Sequence, residues 1–336
     1  MATQVLGALG DDAEQLPRDL DLRIRGFVQR RLKSGWEDHF WPDLMRVELR
    51  YFAPFYVLGT TYAAGTVVFF EESQGYYQAL KGFTASTTAF NPTSSGVVNS
   101  TYWVAAQREY SAAVYSPTTA YVLGNQVSYL GTVYQNILAS TGVLPTNSAN
   151  WTALVPFARV VPYTGTGVTS LGTVLGCYAE DPRVHRAAKA QDWLLTEDGV
   201  EVRGDGSTGT AATFIEFRTA PPSLGTLTYS SSTIYPSGAR VLYTSALGVG
   251  NFYIAGTGLA AGQSPETNPS LWTLIEVPEF LERYLVQGAY ADCLKADGHP
   301  EQWAMENDLA MQLLGDQVGL LVGVSNQGRR VSVGQR

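Results

Sequence analysis

Apolar residues near the start of the chain recur every three or four positions, which is the spacing of one face of an α-helix. The face comprises Leu20, Ile24, Phe27, Val28 and Leu32. Pro17 suits the first turn of this predicted helix and Gly35 suits its end. The aromatic segment from Trp36 to Trp41 then precedes a second predicted helix, whose apolar residues are Leu44, Met45, Val47 and Tyr51.

The other end of the chain predicts a helical hairpin. Its first helix opens at Pro278, and its apolar and small face consists of Leu281, Tyr284, Leu285, Gly288 and Ala289. Gly298 ends that helix and Pro300 begins the next one. After Gly323 the helical periodicity is lost, and the tail carries three arginines and no acid. Such a tail is usually frayed, and the functional alternative is an arm that becomes ordered on a partner.

Strand patterns dominate the middle of the chain. Strands are predicted at residues 157–161, 172–178, 193–196, 200–203 and 212–219. Glu197, Asp198 and Gly199 form a hairpin signal between the third and fourth of them. Pro182 favours a short helix over residues 181–189. We expect these strands to form one compact antiparallel sheet that packs on the terminal helices.

One sequence frame occurs three times: Y-x5-Y-x2-G-x2-V-x-(Y/F), then a second aromatic strand, a loop with proline and a closing tryptophan. The copies begin at Tyr56, Tyr115 and Tyr229 and close at Trp103, Trp151 and Trp272. Each copy predicts a small sheet with an aromatic core. A module of roughly 40 residues is near the lower limit of independent stability, so it needs buried aromatic rings.

The modules' aromatic residues admit two interpretations, an exposed platform that stacks on sugar rings or a buried mini-core. The small size of each module favours the mini-core. The residue frame resembles the small chitin- and cellulose-binding modules of bacterial glycoside hydrolases, whose pattern also runs Y-x2-G-x2-V-x-Y to a closing tryptophan. The candidate glycan platform is Tyr129, Tyr134, Trp151, Tyr253 and Trp272.

Charge is scarce and unevenly distributed. Charged residues make up 15% of the 336-residue chain, and none occurs between Tyr110 and Ala158. A net charge of −8 argues against general nucleic-acid binding, which requires a basic surface. No apolar run approaches the roughly 20 residues of a membrane span. The two cysteines are too few for a disulfide framework in a chain of this size, which favours assembly in a reducing compartment.

The residues that usually carry catalysis are sparse. The three histidines, His39, His185 and His299, lie at no metal-ligand spacing from one another or from a cysteine. There is no G-x-S-x-G motif, and the glycine-rich segments do not continue into a phosphate-binding loop. The near-uncharged modules offer no opposed carboxylates for glycoside hydrolysis. We therefore expect no enzyme, no cofactor and no metal site.

Short motifs at both ends of the chain carry a second resemblance. Residues 277–304 fit the pattern P-x-x-L…GA-x-A-D-x-L-x-x-DG-x-P-E-x-A, and residues 36–50 fit Trp-Glu…Trp-Pro-x-Leu…Glu-x-Arg. The hairpin at residues 197–200 and the strand end at residues 217–222 also fit. In these motifs the chain resembles bacteriophage head–tail adaptor (connector or neck) proteins, with the three β modules as insertions.

That resemblance implies a ring, usually of twelve copies, beneath the portal protein of a tailed phage. Its lower face would receive the tail, nozzle or fibre proteins, and the C-terminal arm would reach the portal. The candidate arm residues are Arg329, Arg330, Val331, Val333 and Arg336. The candidate ring-interface residues are Trp36, Trp41, Leu285, Gly288 and Ala289.

The expected fold is α+β, with a helical bundle of N- and C-terminal helices, a small antiparallel sheet and three inserted all-β modules. The expected segments are residues 12–53 (N-terminal helices), 54–107 (first module), 110–155 (second module), 156–227 (central sheet), 228–275 (third module), 276–323 (helical hairpin) and 324–336 (arm). The leading hypothesis is a structural virion protein of the neck, assembled in the host cytoplasm. The alternative is a carbohydrate-binding protein that uses the three modules.

Overall fold

The computed structural model describes residues 18–165, 169–203, 211–248 and 250–332, with the backbone alone for residues 18–20 and 321–332. Helices and small, mostly antiparallel sheets occur together, which confirms the expected α+β class. The chain divides into two compact units. We call Met1–Leu44 with Ala220–Arg336 the terminal unit, and Met45–Thr219 the middle unit.

The helices of the described part are α1 (Arg18–Asp38), α2 (Glu279–Ala296) and α3 (Pro300–Ser332). The strands are β1 (Met45–Tyr51), β2 (Thr61–Tyr62), β3 (Val67–Phe70), β4 (Gly75–Ala79), β5 (Phe83–Thr84), β6 (Thr93–Ser94), β7 (Val97–Val98), β8 (Trp103–Ala105), β9 (Ala120–Tyr121), β10 (Gln126–Tyr129), β11 (Thr132–Asn136), β12 (Ser140–Thr141), β13 (Trp151–Ala153), β14 (Val160–Pro162), β15 (Leu171–Tyr178), β16 (Asp192–Leu195), β17 (Gly199–Arg203), β18 (Ala212–Thr219), β19 (Leu227–Thr228), β20 (Arg240–Thr244), β21 (Gly250–Ala255) and β22 (Trp272–Leu274).

In the terminal unit α2 is the central helix, and α1 and α3 each pack mainly on it. All three helices contribute to one apolar core. Its buried members are Ile24, Val28, Leu32, Trp36, Trp41, Leu44, Leu224, Ile275, Leu281, Tyr284, Leu285, Ala289, Cys293, Ala310 and Leu314. Residues from both ends of the sequence therefore share a single core.

A charged network ties the three helices together. The Arg31 guanidinium of α1 donates from Nε and Nη2 to the two carboxylate oxygens of Asp292 on α2, at 3.0 and 2.7 Å. Its Nη2 also donates to Oδ1 of Asn307 on α3, at 2.8 Å. Gly288 makes room for this side chain, because a Cβ there would lie 2.9 Å from Cδ of Arg31. The hydrogen bonds that Arg31 donates to Asp292 raise the pKa of Arg31 above its ordinary value.

The third module belongs to the terminal unit. Its strands lie in the order β19-β20-β21-β22, and Phe252 and Ile254 of β21 pack against the helical core. The buried Arg25 of α1 pairs with Asp21 and donates to the carbonyl of Thr226 and the hydroxyl of Thr228. This module is therefore fixed to α1 by both apolar and polar contacts.

The middle unit contains two three-stranded antiparallel sheets, in the orders β1-β18-β15 and β14-β17-β16. Both sheets contribute to one buried cluster, which includes Val174, Val200, Val202, Ile215 and Phe217. The predicted hairpin at residues 193–203 is confirmed as β16 and β17, and the predicted strand at residues 212–219 as β18. The expectation of one central sheet is wrong, since the strands form two.

The first two modules also belong to the middle unit. Their main sheets have the orders β3-β4-β8 and β10-β11-β13. The buried side chain of Gln78 donates to the carbonyl of Ala153 at 3.3 Å and accepts from the Val155 amide at 3.1 Å. Thr152 donates to the carbonyl of Leu80. These bonds attach the first module to the second.

The predicted second N-terminal helix, with Leu44, Met45, Val47 and Tyr51, is wrong. A 3-10 turn at Pro42–Leu44 is followed by strand β1, which pairs along all seven residues with β18. From Met45 onward the residues also alternate in polarity, and this period of two prevails over the helical interpretation. Residues 45–53 therefore do not belong to the N-terminal helices.

Gly35 does not end α1, which continues to Asp38. A Cβ at Gly35 would lie 2.7 Å from Cε1 of Tyr284, so glycine is required there for helix packing. At the other end, α3 continues beyond Gly323 to Ser332, so the expected loss of helical structure after Gly323 is also wrong.

The predicted short helix at residues 181–189 is replaced by turns. The Asp181 carboxylate accepts hydrogen bonds from the backbone amide and the guanidinium of Arg183. Side-chain bonds of this kind offer the backbone an alternative to helix formation. A single turn of chain then follows, in which the His185 amide donates to the Asp181 carbonyl.

Replacing Asp292 by asparagine tests the network at the centre of the helices. Asp292→Asn keeps the side-chain shape but leaves the mostly buried Arg31 without its counter-charge. We expect the free energy of unfolding to fall by about 1.5–3 kcal/mol, measured by urea denaturation.

The matched control is Asp297→Asn, which removes the partner of Arg23 in a pair whose side chains are about half exposed. Solvent screens such a pair, so the expected change is below about 1 kcal/mol. Equal losses in the two variants would contradict the central role of the Arg31 network.

Candidate functional site

The three modules repeat one aromatic core in space. In each copy the first two tyrosines of the frame stack, with ring centroids 5.7, 5.7 and 5.8 Å apart for Tyr56–Tyr62, Tyr115–Tyr121 and Tyr229–Tyr235. The closing tryptophan meets the second tyrosine edge-on, at 5.5, 5.2 and 5.7 Å in Trp103, Trp151 and Trp272. The frame found in the sequence is therefore a packing unit.

Polar atoms of these rings are fixed by equivalent hydrogen bonds. The hydroxyl of the second tyrosine accepts from the amide that follows the first, at 2.7, 2.8 and 2.7 Å for Val57, Ser116 and Ser230. The indole Nε1 of the closing tryptophan donates to a loop carbonyl, at 2.7, 3.1 and 3.1 Å for Phe90, Val143 and Gln263. The proline-containing loop is thereby held over the core.

The glycine of the frame is needed for its backbone conformation. Gly65, Gly124 and Gly238 have φ of +85°, +89° and +85°, a region that side chains with a Cβ rarely adopt. Each glycine amide donates to a carbonyl at the end of the second aromatic strand, at 2.8, 2.9 and 2.8 Å. In the first two modules this turn joins the short strand of the second tyrosine to the main sheet, and in the third it joins the segment of Tyr235 to β20.

The first tyrosine of each frame has a buried hydroxyl. Among the described residues, the hydroxyls of Tyr56, Tyr115 and Tyr229 have no hydrogen-bond partner. Burial raises the pKa of Tyr56 to about 12 and raises that of Tyr229 above its ordinary value. The Tyr56 and Tyr229 phenols therefore stay neutral near pH 7, and all three rings serve as packing groups.

The glycan-platform residues do not form an open aromatic surface. Trp151 is 2% exposed and Trp272 is 6% exposed, because both close the mini-cores. Tyr129, Tyr134 and Tyr253 are half-buried and pack with other core rings or apolar residues of their modules. The interpretation as a mini-core describes these rings, and the two tryptophans offer no ring face for a sugar.

The second module presents an apolar surface of a different kind. It has no charged side chain, and its exposed aliphatic residues are Val114, Val122, Leu123, Leu130, Leu138 and Leu144. Aliphatic groups without neighbouring charges are typical of protein contact surfaces. This surface belongs to the middle unit.

The five candidate ring-interface residues lie inside the chain's own core. Trp36, Trp41, Leu285, Gly288 and Ala289 are all buried where α1 and α2 meet. Their proposed role as contacts between copies is therefore wrong. Small residues on α2 admit Arg31 and the other α1 side chains instead of an external helix.

Three of the five candidate arm residues fall at the end of α3. Arg329, Arg330 and Val331 are in helical backbone, although the sequence predicted that the helix ends near Gly323. Val333 and Arg336 lie outside the described residues.

The cysteines are buried in the apolar cores, and His39 lies on the surface beside an acid. Burial raises the pKa of the Cys177 thiol to about 12 and that of the Cys293 thiol to about 11. His39 contacts Asp38 at 2.8 Å on the surface. No group of metal-ligating side chains occurs among the residues that the structure describes.

An open cavity of about 690 Å³ lies at the start of α2. Its lining residues are Asp43, Pro278, Glu279, Phe280, Glu282, Arg283 and Gln317. Charges of both signs line it beside Phe280 and Pro278, and the cavity is open to solvent, as in a surface groove.

No protein-family model matches this chain, and a search of curated proteins finds no significant match. In the part that the structure describes, no helix has the length and apolar character required to span a bilayer.

Sequence reasoning missed two exposed helix faces. The α1 outer face consists of Leu22, Arg23, Gly26, Arg30 and Lys33. The α3 outer face consists of Met305, Asp308, Leu309, Gly315, Asp316, Gly319 and Leu320. A signal was present in the sequence, since residues 302–328 contain no lysine or arginine while α1 is rich in arginine.

Truncating a closing tryptophan tests its role in the mini-core. Trp151→Ala removes the ring that covers Tyr115 and Tyr121, so we expect the middle unit to lose about 3–5 kcal/mol of unfolding free energy. Chemical denaturation followed by tyrosine and tryptophan fluorescence measures the loss.

Val114→Ala is the matched control, because Val114 lies in the same module and is 80% exposed. We expect it to change stability by less than about 0.5 kcal/mol. A Trp151→Ala protein as stable as this control would exclude the mini-core.

Proposed function

We propose that this protein is a structural virion component, a head–tail adaptor whose ring joins the portal of a tailed phage to its tail or nozzle. The observation that carries the proposal is the shared core of α1, α2 and α3, which unites the two ends of the sequence. The adaptor-like motif at residues 277–304 and the first part of the motif at residues 36–50 lie in those ends, so the packing supports reading these two segments as one functional body.

In this proposal the three helices are the adaptor's bundle and the β modules are insertions that decorate the neck. The third module is bonded to α1 through Arg25, which makes it a fixed part of the bundle surface. The second module brings an uncharged surface with exposed aliphatic groups, such as Val114 and Leu130, which suits contact with fibre proteins.

The length of α3 supports the proposed reach towards the portal. With 33 residues α3 is about 50 Å long, whereas α2 with 18 residues is about 27 Å long. The two helices form a hairpin that starts from Gly298 and is closed by a bond between Gln287 and Glu306. About 20 Å of α3, including Arg329 and Arg330, thus extends past the start of α2.

The proposed role is assembly without catalysis. Both thiols are buried with raised pKa values, and the two histidines that contact acids, His39 and His185, are about half exposed. Neither arrangement supplies an activated nucleophile with an oriented base. The expected location is the neck of the virion.

Mass photometry of the purified protein, alone and with the portal protein of the same phage, tests the proposed ring. We expect a closed species of about 440 kDa if twelve copies of the 36.4 kDa chain assemble. Negative-stain images of that species should show a ring with a central channel. Monomers under both conditions would overturn the adaptor proposal.

Removing the last twelve residues tests the role of the arm. A chain that ends at Val324 keeps every buried core residue of α3, so we expect an unchanged thermal midpoint. It loses Arg329, Arg330 and the residues beyond them, and we expect portal binding to disappear in a pull-down. Normal portal binding by the truncated chain would exclude the arm as the contact.

A further inference from the structure

The α1 and α3 outer faces carry opposite charge. On α1 the exposed cations are Arg23, Arg30 and Lys33, and they outnumber the exposed acids at the end of the helix, Glu37 and Asp38. Arg30 lies over the Phe27 ring at 4.9 Å. On α3 the exposed charges of the described side chains are Glu301, Asp308 and Asp316, and no lysine or arginine occurs over residues 302–328. One molecule therefore presents a basic helix face and an acidic helix face.

Apolar groups accompany both sets of charges. Met305 is 74% exposed and Leu320 is 65% exposed on the α3 outer face, and Leu309 lies between them. Leu22 is exposed on the α1 outer face, and Phe27 borders it. The α3 outer face thus combines an apolar stripe with acidic charges, and the α1 outer face combines Leu22 with mainly basic charges, which is a complementary composition for helix packing.

Glycines on the two faces have no purpose within the described chain. Gly35 and Gly288 are needed because a Cβ there would collide with Tyr284 or Arg31. In contrast, a Cβ at Gly26, Gly315 or Gly319 would meet nothing within 4 Å. Glycine inside a helix lowers the stability of the helix relative to alanine. No contact among the described residues requires glycine at these three positions. Close approach of an external helix accounts for them.

We propose that the α1 outer face of one copy packs against the α3 outer face of a second copy. Both helices flank α2, so the two faces lie on different helices of the same molecule and each copy offers one of each kind. Contacts between unlike faces are heterologous and propagate from copy to copy, into a closed ring or an open filament. The inference rests on the proposed function for the closure into a ring.

Charge reversal tests the pairing of the faces. Arg30→Glu with Lys33→Glu makes both faces acidic, and Asp308→Lys with Asp316→Lys makes both basic. We expect either pair alone to weaken self-association by at least about tenfold, measured by mass photometry across a concentration series. Combining all four changes in one chain restores opposite charges, so we expect its assembly to recover.

Mixing the two reversed proteins provides a second test of the same pairing. Each protein alone has like-charged faces, whereas the mixture again pairs basic with acidic faces, so we expect mixed assemblies. Higher salt should weaken assembly of the wild type and of the fourfold variant to a similar extent. The matched control is Arg186→Glu with Glu197→Lys, which reverses exposed charges of the middle unit and should leave assembly unchanged.

Larger side chains at the open glycines test close approach separately from charge. Gly315→Leu and Gly319→Leu have room in the single chain and improve helix propensity, so we expect an unchanged or higher thermal midpoint. The same changes should abolish self-association by blocking the neighbouring helix. Variants that assemble normally would overturn the inference, as would failure of the fourfold variant to recover.

The outcomes separate this inference from the proposed function. Rings that ignore both the charge reversals and the glycine changes would leave the adaptor proposal standing and overturn the α1–α3 contact. Charge-dependent filaments or dimers without rings would support the contact and count against the adaptor. Monomers at every concentration would overturn both.

Discussion

The terminal unit depends on one guanidinium. Arg31 reaches from α1 across the small surface at Gly288 to bind Asp292 on α2 and Asn307 on α3. Because its side chain is mostly buried, it needs a counter-charge and filled hydrogen bonds to be stable there. These hydrogen bonds fix how α1, α2 and α3 are rotated relative to one another. The same rotation directs the apolar sides of the three helices into the core around Leu285.

A different principle holds the modules. Each is too small to form a conventional aliphatic core, and it uses two stacked tyrosines closed by a tryptophan instead. Hydrogen bonds from ring atoms to the backbone then position the turns and loops. This aromatic core does not require charged side chains, since the second module contains no Asp, Glu, Lys or Arg.

The sequence predicted best those features that depend on local spacing. The tyrosine–glycine–tryptophan frame, the strand Ala212–Thr219 and the α2–α3 hairpin all depend on neighbours within one element or turn. Errors arose where a distant partner decides. Gly35 has the local character of a helix end, but Tyr284 packs on it from another helix, and Met45–Tyr51 becomes a strand because β18 pairs with it.

The same limit applied to the candidate contact residues. Trp36 and Leu285 have the composition of an interface, and sequence alone does not tell whether the partner is another chain or the same one. The structure identifies the exposed faces of α1 and α3, because it shows which sides of these helices are buried in the core. Glycines with open space above them, such as Gly319, required coordinates to be told from packing glycines.

The modules share a core yet differ at one position that follows the second-strand tyrosine. Gln78 and Gln135 occupy it in the first two copies, and Ile254 occupies it in the third. Gln78 uses its amide to grip the backbone of a neighbouring sheet, whereas Ile254 packs against an apolar helical surface. The repeated modules thus use this position to contact different neighbours. Replacing the third module by the first would bury the polar amide of Gln78 against apolar helix side chains without a hydrogen-bond partner.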